Sequence, residues 1–240
     1  MTNNNREDLP GMHPSPNIQE APDIYEIENI AADPDGLLEK AMYTLALWND
    51  KVVLDLGAGT GFHLPRFHSL ARHVIAVEPH SPSRLRAMAR VAKLGLGRVS
   101  VMHGSAERLL LPDASIDIVH ARFAYFFPPH CEPGLIELAR IIRPGGTAFI
   151  IDNDWEHGTF ASWLKRHPWH RAVDSKKVEY FWHMHGFTLQ RIASEWSFNR
   201  RADLEAVIRT EFPDQLAEQI ISEHQGTRIE YHYCLYYRHY

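Results

Sequence analysis

The sequence predicts an α/β domain built on a largely parallel sheet, and three observations carry that reading. Short apolar runs alternate with amphipathic segments between about residues 52 and 151, the pattern produced when strands are joined by crossover helices. The first run ends in a glycine-rich turn, Asp55-Leu56-Gly57-Ala58-Gly59-Thr60-Gly61. A length of 240 residues, with 45% hydrophobic and 23% charged side chains, suits one domain with embellishments.

Residues 1–22 are rich in Asn and Pro, and Pro10, Pro14, Pro16 and Pro22 interrupt any regular pattern. A flexible arm is expected there, ahead of a single domain over residues 23–240. Asp33-Pro34-Asp35-Gly36 is turn chemistry, and Leu37, Leu38, Ala41, Met42, Leu45 and Trp48 follow at helical spacing, so residues 23–50 read as a helical lid. Tyr25 and Glu28 precede that helix, in a segment placed to fold over a ligand and exclude water.

Strands are expected at 52–56, 74–77, 99–103, 116–120 and 147–151, each bounded by polar or Gly/Pro residues, with helices at about 62–71, 82–94 and 132–142. Residues 51–155 thereby form the core. The last third, 156–240, changes character, with longer strand candidates at 188–198 and 229–237 separated by helical segments, which suits an antiparallel ending. Ile229, Tyr231, Tyr233, Leu235 and Tyr237 alternate with residues that are themselves partly aromatic, as in an interior strand.

Composition narrows the function classes. A formal charge of −5, from 25 basic and 30 acidic residues, gives no general electrostatic reason to bind nucleic acid or an anionic membrane. Two cysteines, Cys131 and Cys234, are too few for a disulfide framework or a zinc ribbon. With no run of about 18 apolar residues, the expectation is a soluble cytoplasmic protein of unspecified oligomeric state. The 16 histidines invite a metal, but His63, His68 and His73 recur every five residues, which scatters them around a helix, and no HExxH pattern occurs. No metal is expected.

The glycine turn is where chemistry enters. Gly57, Gly59 and Gly61 let backbone pass close to a ligand without Cβ obstruction. A dinucleotide fingerprint would space its glycines as GxGxxG, and a Walker loop would continue into Gly-Lys-Ser/Thr; this turn does neither. Glu78 ends the next strand, 21 residues beyond Gly57, where a carboxylate can accept hydrogen bonds from both hydroxyls of a ribose.

Taken together, Asp55 to Gly61, Glu78, and Arg143-Pro144-Gly145-Gly146 before the fifth strand resemble the class I S-adenosylmethionine-dependent methyltransferase family over about residues 35 to 155. The resemblance implies a three-layer Rossmann-like fold with a seven-stranded sheet in the order 3-2-1-4-5-7-6, strand 7 antiparallel. It implies S-adenosyl-L-methionine as cofactor, with the backbone of Gly57, Ala58, Gly59 and Gly61 near its methionine portion, and with Glu78 and Pro79 at its ribose. Gly104-Ser105-Ala106-Glu107 resembles the segment beside the adenine, although the family often has Asp where this chain has Ser105; Ser105, Ala106 or Glu107 is then the adenine contact. Tyr25, Asp55, Ala121 and Arg122 complete the expected cofactor site.

A methyl acceptor would lie beyond the carboxyl ends of the fourth and fifth strands. There the chain offers His120-Ala121-Arg122-Phe123-Ala124-Tyr125-Phe126-Phe127 and Asp152-Asn153-Asp154-Trp155. His120, Tyr125, Asp152 and Asp154 are the candidate catalytic residues, for orienting the acceptor or removing its proton, and Trp155, Trp182 and Trp196 are candidate walls. The leading expectation is methyl transfer to a small molecule. The alternatives are methylation of RNA or protein, motivated by the arginines between Arg84 and Arg90, and a non-catalytic cofactor-binding partner protein.

Overall fold

A computed structural model describes residues 15–124, 126–128, 130–170 and 173–240. Among the described residues there are seven strands: β1 (Val52–Leu56), β2 (His73–Val77), β3 (Val99–Met102), β4 (Ile116–Arg122), β5 (Ile142–Asn153), β6 (Thr188–Ser197) and β7 (Arg228–His239). They form one sheet in the order β3-β2-β1-β4-β5-β7-β6. The first five strands pair in parallel, and β7 is antiparallel to both β5 and β6. This is the order implied by the family resemblance.

Ten described helices flank the sheet. The N-terminal three are α1 (Pro16–Glu20), α2 (Pro22–Ala31) and α3 (Leu37–Leu45), followed in the core by α4 (Leu64–Leu70), α5 (Ser81–Leu94) and α6 (Glu132–Ile141). The last third supplies α7 (Gly158–Leu164), α8 (Ser175–Met184), α9 (Arg201–Glu211) and α10 (Asp214–Glu223). Alternation along β1 assigns the layers: Val53 packs with α3, α4, α7, α9 and α10, whereas Leu54 and Leu56 pack with α6 and α8, as period-two side chains require.

Boundaries moved where backbone chemistry overrides periodicity. The helix expected from residue 62 starts at Leu64, because Gly61 is left-handed at φ +76° and Pro65 suits a helical first turn. Helix α5 ends where Gly95 takes φ +63°, a C-terminal glycine stop. Strand β5 begins five residues early, since Ile142 pairs with Ile116 before the register shifts past Arg143-Pro144-Gly145-Gly146. At Gly146 a Cβ would lie 2.8 Å from the carbonyl oxygen of Asp117, which explains the glycine.

A short helix lies within the stretch read from sequence as an arm, whose residues 1–14 are outside the described residues. Residues 16–20 and 22–31 are helical, with Pro16 and Pro22 in first turns, a position where the missing proline N–H costs nothing. Asp33 anchors the start of α3. Its carboxylate accepts from the N–H groups of Leu37 at 3.0 Å and Leu38 at 2.9 Å and from the Ser194 hydroxyl at 2.6 Å, while its own N–H donates to the Glu195 carbonyl at 3.0 Å. The N-terminal helices are thereby tied to strand β6.

Candidate active site

The glycine turn leaves β1 and is held against β2 by two bonds, from Gly57 N–H and Ala58 N–H to the Val77 carbonyl at 2.9 and 3.1 Å. Gly57, Gly59 and Gly61 all have positive φ, +78°, +56° and +76°, which side-chain-bearing residues rarely adopt. A Cβ on Gly61 would meet Ala87 of α5 at 3.1 Å, so that glycine serves helix packing. A Cβ on Gly59 would meet only Ile18 of α1, at 2.6 Å, so that glycine faces the space the lid covers.

Glu78 is buried beside this turn. Its Oε2 accepts from Gly59 N–H at 2.8 Å and its Oε1 from His80 N–H at 2.8 Å. Burial pushes its carboxyl above the usual range, opposed by the two backbone donors. Each oxygen retains a further lone pair. Arg84 fixes the loop by donating to the carbonyls of Glu78 and Pro79 at 3.0 and 2.9 Å.

A cavity of about 130 Å³ opens over the turn, between Gly57, Gly59, Glu78 and Pro79 on the sheet side and Asn17, Ile18 and Tyr25 on the lid side. Sharing Ile18, Tyr25, Gly57, Gly59 and Arg122 with it, a smaller space of about 40 Å³ is also lined by Asp55, Ala58, His63 and His120. His120 donates to Asp55 at 2.8 Å, and both are buried within the sheet. That bond fixes the end of β1 against β4. His63 is pushed well below the usual histidine range, first by burial and then by Arg122 and His120, and is neutral at pH 7.

A cavity of about 260 Å³ adjoins the first and shares Asn17, Tyr25, Phe123 and Phe127 with it. Trp155, Phe160 and Tyr231 continue its aromatic wall, and Glu28, Asp152 and Glu211 are its carboxylates. Phe123 carries φ +52° just after β4, a strained conformation for a bulky residue and typical of ligand-facing positions. Asp152 is pushed up to about 6 by burial, against the opposing N–H of Asn153. Burial also raises Tyr25, so its hydroxyl stays protonated and acts as a donor.

Of the expected catalytic residues, only Asp152 lines this larger cavity; His120 lines the smaller space, and Tyr125 lies outside the described residues. Asp154 is spent on structure: it accepts from the N–H groups of Glu156 and His157 and pairs with Arg191 at 3.2 Å. Trp155 is a wall, but Trp182 stacks on Tyr236 and Trp196 on Tyr231 within the core. Ser105, Ala106 and Ala121 are buried and line none of the three cavities. Glu107 keeps a buried Oε2 with no hydrogen-bond partner among the described residues.

The arginines of α5 pair with neighbouring groups of the protein. Besides the bonds of Arg84, Arg86 pairs with Asp23 at 2.6 Å, and Arg90 pairs with Glu26 at 2.6 Å and donates to the Thr60 carbonyl at 3.1 Å. They clamp α2 over the glycine turn. Sequence reasoning missed Ile18, Asn17, Glu211 and Tyr231 as cavity-lining residues, because only the folded N-terminal helices, the packing of α9 and the pairing of β7 bring them there.

Residues 53–146 match the family model described as "Methyltransferase domain". An uncharacterized methyltransferase of Mycobacterium tuberculosis is 35% identical over 103 residues, covering 42% of this chain and 39% of that protein. The chain spans about two fifths to one half of the length of the curated relatives it matches. The crystal structure of YcgJ from Bacillus subtilis superposes with a TM-score of 0.61 at 20% identity, covering 84% of this chain and 97% of that one. A SAM-dependent methyltransferase from Aquifex aeolicus superposes with a TM-score of 0.58 at 21% identity, covering 89% and 97%. Both likenesses concern the fold.

Proposed function

We propose that the chain, whose residues 53–146 match the family model described as "Methyltransferase domain", transfers the methyl group of S-adenosylmethionine to a small-molecule acceptor, leaving S-adenosylhomocysteine. One observation carries the reading: the cavity over the glycine turn and Glu78 adjoins a second, aromatic-walled cavity through Asn17, Tyr25, Phe123 and Phe127. Donor and acceptor are thereby given neighbouring seats.

The residues present fit the donor. Gly57 and Gly59 bring turn backbone to the cavity wall, and Glu78, on the same wall, offers both oxygens to the ribose hydroxyls. When bound, the donor supplies an activated methyl on a sulfonium, so the chain's task is chiefly to position the acceptor for in-line attack. Tyr25 and Phe123 stand at the junction of the two cavities, where aromatic faces attract a sulfonium by about 0.5–2 kcal/mol. The lid helices cover the site and exclude water.

Methylation of RNA draws no support from α5, whose arginines are engaged with the lid and the Glu78 loop. Incubating the protein with methyl-labelled cofactor and a cell extract tests the reading. Label is expected in low-molecular-weight material; label confined to RNA or protein, or none anywhere, would overturn it.

A further inference from the structure

We propose that the acceptor is an amine taken up as its ammonium, held in the larger cavity between aromatic faces and the carboxylates of Glu28, Glu211 and Asp152. This rests on the methyl-transfer reading above. It names the substrate class of that same site.

Charge is the first ground. Among the described residues no Lys or Arg lines the cavity, and His170, its basic lining residue there, is held below the usual histidine range by burial. None of the three carboxylates has an ion-pair partner among the described residues; Arg122 acts on Glu28 from outside the cavity, behind burial and Glu211 in weight. Asn17 donates to Glu211 at 2.7 Å and Asn153 N–H to Asp152 at 2.7 Å; both donors are neutral. Burying carboxylates around one space without a cation is costly, and a cationic guest removes that cost. An anionic phenolate, thiolate or carboxylate acceptor would instead meet a field of its own sign.

The walls are the second ground. Tyr25, Phe123, Trp155 and Tyr231 surround the carboxylates, and an ammonium against aromatic faces gains cation–π attraction on top of its ion pair. Size is the third: about 260 Å³ admits a small amine with an aromatic or aliphatic body, not a folded macromolecule.

The chemistry closes on these residues. Glu28 and Glu211 are hydrogen-bonded to each other and both are raised, first by burial, with Glu28 raised further by Glu211; they share one proton, as close carboxylates do. Asp152 is left to take a proton from the ammonium, and at about 6 its base strength suits that task near neutral pH. The freed nitrogen lone pair forms the new nitrogen–carbon bond as the carbon–sulfur bond breaks and its electron pair stays on sulfur. The product leaves as a methylated ammonium, and Asp152 returns its proton to water.

Calorimetry on protein saturated with S-adenosylhomocysteine tests this, using phenethylamine, its N,N,N-trimethylammonium analogue, phenethyl alcohol and phenylacetate. Both ammonium probes are expected to bind at least tenfold more tightly than the alcohol, with no binding of phenylacetate. Glu28→Gln with Glu211→Gln should weaken the ammonium probes by at least tenfold and leave the alcohol unchanged. Equal or tighter binding of the alcohol or of phenylacetate would overturn the proposal, as would failure of every probe on protein that holds S-adenosylhomocysteine. Failure to bind S-adenosylhomocysteine would instead remove the methyl-transfer reading beneath it.

Discussion

Glu78 shows how much one side chain does here. Its two oxygens take backbone N–H groups from Gly59 on one side and His80 on the other, so the carboxylate proposed to meet the ribose also shapes the turn beside it. Glu78→Gln replaces one oxygen by an NH₂ group that must face a donor. Losing a charge-assisted acceptor costs about 1.5–3 kcal/mol, so affinity for S-adenosylhomocysteine is expected to fall roughly 10- to 100-fold by calorimetry; an unchanged affinity would remove Glu78 from the site. Gly61→Ala acts on stability instead. Its φ of +76° and the contact with Ala87 at 3.1 Å predict a loss of about 1–3 kcal/mol, read as a lower Tm. Residues of this kind were legible, because a glycine spacing and an acid at a strand end are local patterns. Asp154 was not: its place beside Asp152 suggested catalysis, and only its bonds to His157 and Arg191 reveal a structural anchor.

At the scale of elements, the parallel strands were legible because each is a short apolar run closed by polar or Gly/Pro residues. Helix α2 was only partly so. Pro22 reads as a breaker in a Pro-rich stretch, yet the same residue starts a helix when it falls in the first turn. Helix α9 and strand β7 bring Glu211 and Tyr231 to the cavity across long sequence separations, and no local pattern predicts that meeting. The lid's attachment gives its own prediction. Asp33 accepts from the first turn of α3 and binds β6 through Ser194 and the Glu195 carbonyl, so Asp33→Ala should cost about 1–2 kcal/mol and raise amide exchange across residues 22–45. Exchange confined to its wild-type rate there would show that the lid is held elsewhere.

For the whole molecule, the order of the last two strands came from the family resemblance and not from periodicity, which marks a strand but not its neighbours in the sheet. What the assembled molecule adds is a buried acidic cavity, and that makes stability depend on pH. Asp152 rises from 3.8 to about 6 on folding, so the folded state binds more protons in that window. Its contribution is complete below about pH 4 and is lost as pH rises through 6. Asp152→Asn removes this term. Relative to wild type, the variant should gain up to about 3 kcal/mol at pH 7.5 and nothing at pH 4, measured by denaturant unfolding; an equal effect at both pH values would contradict the assignment.

Every step of the proposed function depends on the glycine turn and Glu78 seating a methyl donor. Calorimetric titration of the intact protein with S-adenosylhomocysteine tests this most directly, with NAD as the control. One site per chain for S-adenosylhomocysteine and no heat with NAD is the predicted result. Binding of NAD without S-adenosylhomocysteine, or of neither to folded protein, would contradict it.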